Sequence, residues 1–86
     1  MSVRKKHQRT LDALFEEPTR SNIAWNDIIA LFDALDAEIS EGKGFRVRVA
    51  LGGARAVFHR PLPSKDMHKS MVRSIRRFLK TAGVKP

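Results

Sequence analysis

Two adjacent glycines, Gly52 and Gly53, separate RVRVAL from ARAVFH, and in both stretches apolar and polar positions alternate. Alternation marks a strand with one buried face. A Gly-Gly pair between two such runs supplies the positive φ angles that a two-residue hairpin loop demands. The turn therefore fixes register. Leu51 is placed opposite Ala54, and the pairs continue as Ala50 with Arg55, Val49 with Ala56, Arg48 with Val57, Val47 with Phe58 and Arg46 with His59. One face carries Val47, Val49, Leu51, Ala54, Ala56 and Phe58, and the other carries Arg46, Arg48, Arg55 and His59. A slip of one residue would drive the arginines into the core, so this register is strongly specified.

The flanking segments provide what such a hairpin packs against. RKKHQRTLDALFEEP, from Arg4, reads as a first helix with Leu11, Leu14 and Phe15 on one face and His7 as a packed histidine a turn upstream. Pro18 and the polar TRSN stretch end it. Ile23, Trp25, Ile28, Leu31, Phe32 and Leu35 form the apolar stripe of a second helix from about Ala24 to Leu35, with Trp25 read as core. AEISE then alternates as a short strand ending at Gly42-Lys43-Gly44. A three-residue turn there places Ser40 beside Arg46 and Glu38 beside Arg48. After the loop HRPLPSKD, which Pro61 and Pro63 stiffen, Met71, Val72, Ile75, Phe78, Leu79 and Ala82 trace a last helix, and Gly83 suits its C-cap. The order ααβββα predicts an α+β fold: a three-stranded antiparallel sheet with helices on its apolar face. Eighty-six residues without repeats or a linker make a single domain (residues 1–86).

Charge is distributed unevenly over this frame. Met1 to Glu41 holds 5 basic and 8 acidic residues, whereas Gly42 to Pro86 holds 12 basic residues and one acid, Asp66. Such asymmetry points to a polyanion-binding face. Other classes are disfavoured. No apolar run approaches the ~18 residues of a membrane span, and the N-terminus has no apolar secretion-signal core, so a cytoplasmic protein is expected. There is no cysteine, and the three histidines are scattered. No metal site and no cofactor are therefore expected.

From Ile23 to Val84 the chain resembles the HicA toxins, small mRNA interferases with a fold like that of double-stranded-RNA-binding domains. The resemblance is carried by WNDIIALFDALDAEI, the glycine turn opening the second strand, and SMVRSIRRFLKTAGV. It implies a HicA-like RNA-binding domain over residues 23–84, with residues 4–17 as an N-terminal helical extension, and a HicB-type antitoxin covering the sheet face. Family members open the second strand with Gly-Ser-His, and that histidine is catalytic. This chain has Gly44-Phe45-Arg46. A guanidinium stays protonated and cannot act as a general base, though it binds phosphate well.

The resemblance thus implies binding to RNA (mRNA) more firmly than it implies cleavage. The hairpin register adds one compensation: His59 faces Arg46, with Cβ atoms about 5 Å apart, and an imidazole titrates in the range that moving a ribose 2′-hydroxyl proton requires. His59 is therefore the candidate catalytic residue, with Arg46 and Arg48 stabilising charge on the phosphorane. The candidate RNA-binding residues are Arg46, Arg48, Arg55, His59, Lys43, Lys65 and His68, the last two near the start of the third helix. Arg73, Arg76, Arg77 and Lys80 give that helix a basic flank, either solvated or contacting phosphate. Two readings stay open: a toxin-type endoribonuclease with weakened or lost cleavage, and a non-catalytic module for nucleic acid or an acidic partner. A DNA-binding reading is weaker, because no segment forms a recognition helix joined to its partner by a short turn.

Overall fold

The computed structural model describes residues 4–61 and 67–86. Its elements run α1 (Lys5–Leu14), α2 (Trp25–Ala34), β1 (Glu38–Glu41), β2 (Arg46–Leu51), β3 (Ala54–His59) and α3 (Lys69–Thr81), the expected ααβββα order. Pro63, Lys65 and Asp66 lie outside the described residues. α1 stops at Leu14, three residues short of the Glu17 boundary expected from sequence.

The three strands form an antiparallel meander in the order β1-β2-β3. The β2–β3 ladder has the expected register throughout, from Leu51 opposite Ala54 to Arg46 opposite His59. Gly52 and Gly53 have φ of 54° and 84°, both left-handed, which is the type I′ geometry that matches the twist of two-residue hairpins. The β1–β2 register corrects the sequence reading by two residues. Ser40 lies opposite Arg48, not Arg46, and Glu38 lies opposite Ala50, not Arg48. The cause is the turn. Four residues, Gly42 to Phe45, separate the strands, and the Gly42 N–H donates to the Arg46 carbonyl at 2.8 Å. Because side chains repeat every two residues along a strand, this shift leaves each residue on its expected face.

Each helix buries the stripe its spacing provides. Trp25, Ile28, Leu31 and Phe32 of α2 and Val72, Ile75, Phe78 and Leu79 of α3 are buried at matching intervals, with Leu11 and Leu14 of α1 beside them. They close over Val47, Val49, Ala54 and Phe58 of the sheet. At the centre, Phe32 stacks on Phe58 at 6.2 Å between centroids, and Phe78 meets both edge-on at 5.8 Å, geometries that suit the aromatic quadrupole. α3 ends in a Schellman motif, with Gly83 N–H donating to the Lys80 carbonyl and Val84 N–H to that of Leu79. His7 is half-buried, as expected for a packed histidine, and its Nδ1 has no hydrogen-bond partner among the described residues.

The hairpin tip touches the end of α3. A Cβ built on Gly52 falls 2.9 Å from the Ala82 carbonyl oxygen, whereas one on Gly53 meets nothing within 4 Å. Both positions carry the left-handed penalty of roughly 1–2 kcal/mol for a side chain, but only Gly52 adds a backbone collision. Gly52→Ala is therefore expected to lower the urea midpoint clearly more than Gly53→Ala does. Equal losses would show that the tip is not packed against α3.

Candidate nucleic-acid interface

The sheet arranges the polar side chains in rows across its solvent face. One row is Glu38, Ala50 and Arg55, and the next is Ser40, Arg48 and Val57. At the start of β2, past the end of β1, Arg46 lies opposite His59. Arg46, Arg48, Arg55 and His59 are all exposed, while Val47, Val49 and Phe58 beneath them are buried. The Arg60 N–H donates to the Phe45 carbonyl at 2.9 Å. That makes Phe45–Arg60 a bonded pair and Arg46–His59 the adjoining non-bonded pair, the kind in which side chains approach most closely.

The arginines carry free charge. Among the described residues, the ion pairs are Arg20–Glu16, Arg60–Glu41 and Arg76–Glu17, so no carboxylate neutralises Arg46, Arg48 or Arg55. An open hollow of about 570 Å³ lies over this face, bounded by Glu38, Ser40, Arg48, Arg55 and Val57. A second hollow of about 710 Å³ runs between β3 and α3, sharing Arg55 and Val57 and adding His59, Ser74 and Arg77. The cationic surface thus continues around the β3 edge.

The remaining candidates lie apart. Lys43 is exposed in the β1–β2 loop. His68 occupies the N-cap position of α3, exposed and without a side-chain capping bond, and belongs to no row of the sheet. Lys65 lies outside the described residues. Arg73 and Arg77 are exposed, and Lys80 sits 6.0 Å from the centre of the Phe15 ring.

Arg76 does not belong to the solvated basic flank. Its side chain is only 12 % exposed. Its Nε donates to the Leu14 carbonyl at 2.7 Å, one terminal nitrogen to the Glu16 carbonyl at 3.0 Å, and the other to the Glu17 carboxylate at 2.6 Å. It caps the C-terminus of α1, whose last carbonyls lack helical partners, and cations are favoured there. Sequence could not reveal this, because the partners lie about sixty residues apart. Alternation alone likewise gives no functional weight to Phe45, Arg60 or Val57. Phe45 (62 % exposed) and Val57 (52 %) are the large exposed apolar residues among those described.

Fold and site together define a small α+β domain whose meander presents a cationic face away from its helices. The family model for the HicA toxin of bacterial toxin-antitoxin systems matches residues 25–84. The chain belongs to the HicA toxin family, a context that includes an antitoxin partner. No curated protein and no solved structure gives a significant match. The matched span begins at α2, so α1 lies outside it, although Leu11 and Leu14 share the common core.

The Arg76 clamp makes a stability prediction. Arg76→Ala leaves the Leu14 and Glu16 carbonyls without their donor, and hydrogen bonds to charged groups are worth about 1.5–3 kcal/mol each. A loss of roughly 2–3 kcal/mol is expected, since the exposed Glu16 carbonyl regains water and the exposed Glu17 carboxylate adds little, leaving the part-buried Leu14 bond as the main term. Arg76→Lys should recover only a minor part, because an ammonium cannot reproduce the fork. Denaturant unfolding with an unchanged m-value checks this, and a fully stable Arg76→Lys protein would contradict the clamp.

Proposed function

We propose that this HicA-family protein binds RNA through the sheet face carrying Arg46, Arg48, Arg55 and His59, and that it cleaves RNA weakly or not at all. The observation that carries the reading is the gathering of three arginines, unpaired among the described residues, and a histidine on one exposed surface, with the large buried side chains Val47, Val49 and Phe58 on the other. Guanidinium groups recognise phosphate in a two-pronged geometry. The scarcity of exposed aromatics makes the phosphate backbone the main contact, so sequence selectivity is expected to be low.

Cleavage would follow attack of a ribose 2′-hydroxyl on the adjacent phosphorus. A base removes the hydroxyl proton, and an acid protonates the departing 5′-oxygen. The family places its histidine where this chain has Arg46, which holds phosphate but cannot accept the proton. His59, paired with Arg46 across the ladder, is the available substitute, and Arg48 is the neighbouring group for the developing charge. Residues 4–17 are read as a helical extension to the RNA-binding unit at 23–84. The antitoxin is expected to cover the same face. The second reading, a binding module without cleavage, rests on Arg46 itself.

Affinity for a single-stranded RNA should fall steeply with salt, with a log–log slope of about −0.7 per phosphate neutralised. Replacing Arg46 and Arg48 together by Ala should flatten that slope by roughly one to two such increments. Fluorescence anisotropy across a salt series reads this directly, and a salt-independent affinity would place binding elsewhere.

The cleavage question has its own test. Arg46→His restores the family pattern, and general acid–base assistance is typically worth about 10²–10⁴-fold. Arg46→His is therefore expected to raise cleavage of a labelled RNA more than other single changes do. Strong cleavage by the wild-type chain, abolished in a folded His59→Ala protein, would instead assign the chemistry to His59. If neither the wild type nor Arg46→His cuts, the face is a binding surface only.

A further inference from the structure

Phe45 is exposed against the tendency of its own position. The ladder pairs it with Arg60, so alternation groups it with Val47 and Val49, whose side chains are buried in the core. Instead its φ is 64°, in the left-handed region, and the residue is 62 % exposed. That region is unfavourable for any residue with a Cβ and rare for a bulky one. The surrounding backbone holds it there. Phe45 accepts from the Arg60 N–H at 2.9 Å, Gly42 donates to the Arg46 carbonyl at 2.8 Å, and the Arg60 guanidinium binds the Glu41 carboxylate at the base of the loop. A strained residue over-determined by its neighbours and turned outward is a pointer to function.

Its setting supplies the chemistry. Arg46 follows it directly, Lys43 shares its loop, Arg48 lies two residues further along β2, and His59 faces Arg46 at the end of β3, whereas the Arg60 guanidinium is engaged by Glu41. An aromatic ring bordered by phosphate-binding cations is how proteins hold single-stranded nucleic acid: the ring stacks a base and the cations follow the backbone. A base within a duplex is already stacked on both sides, so only an unpaired one is free to meet the ring. We infer that Phe45 is a stacking platform for one unpaired base of single-stranded RNA, with the adjoining phosphates on Arg46 and Arg48. This rests on the RNA-binding reading proposed above.

The test uses the full chain and labelled 2′-O-methyl oligouridylates of about twelve nucleotides, within the range of single-strand site sizes. The 2′-O-methyl group prevents 2′-hydroxyl attack. A strand with the same number of phosphates but abasic sugars serves as the control. Asn tolerates the left-handed conformation, so Phe45→Asn separates stacking from folding. It is expected to weaken binding to the oligouridylate about 5- to 100-fold, to leave the abasic strand within about 2-fold, and to keep or raise the thermal midpoint. Phe45→Trp should retain binding and show fluorescence quenching on adding the oligouridylate, beyond any change from the buried Trp25 in the wild type. Wild-type binding that Phe45→Asn leaves unaltered overturns the stacking role and spares the RNA reading. A wild-type chain without affinity for either strand overturns both.

Discussion

The contact among Phe32, Phe58 and Phe78 joins α2, β3 and α3 at one point, with centroids 5.8–6.2 Å apart. Once the Phe58 ring is held beneath the sheet, the pleat turns Val57 and His59 outward, and the ladder carries the same division to Arg46 and Arg48 on β2. A one-residue slip would lose the aromatic contact and bury guanidinium groups without partners, which is prohibitive in a dry interior. The cationic surface is thus specified from below. Its spacing is a consequence of how the core packs, and the arginines themselves need no mutual attraction to stay aligned.

The β2–β3 part of this surface was legible because one turn and one alternation suffice to define it. Gly52-Gly53 dictated the loop, and burial then chose among registers. β1 was less legible, since its register depends on the conformation of Gly42 to Phe45, and no local rule anticipates a left-handed phenylalanine. The two-residue error did no harm to the facial assignment because the strand period is two. Arg76 shows a different limit. Its position on α3 looks like any solvated cation at helical spacing, and only the docking of α1 reveals the carbonyls it serves. Lys43 and His68 are identified by charge and place alone, and among the described residues the structure adds no hydrogen-bond partner for their side chains.

The clamp also bears on how α1 relates to the rest. The family match starts at residue 25, yet α1 contributes Leu11 and Leu14 to the shared core and is tied at its end by an arginine from within the matched span. Charge follows the same division. Acidic residues gather in the first half of the chain, and Glu17 there meets Arg76 of the basic half. The basic half therefore spends one cation on holding the helices together and keeps those of the sheet face free.

β3 is the last strand of its sheet, with β2 on one side and the hollow against α3 on the other. The backbone groups of Arg55, Val57 and His59 point toward that open side, since their neighbours Ala54, Ala56 and Phe58 bond to β2. An unpaired strand is a template for a second copy of itself. Two chains meeting there would bring Arg55 and Arg77 of each against those of the other, so like charge keeps the edges apart. Whatever neutralises those arginines also lifts that barrier. The protection of that strand edge is thus conditional on what the cationic face holds: a bound polyanion would remove the repulsion that keeps two edges from pairing.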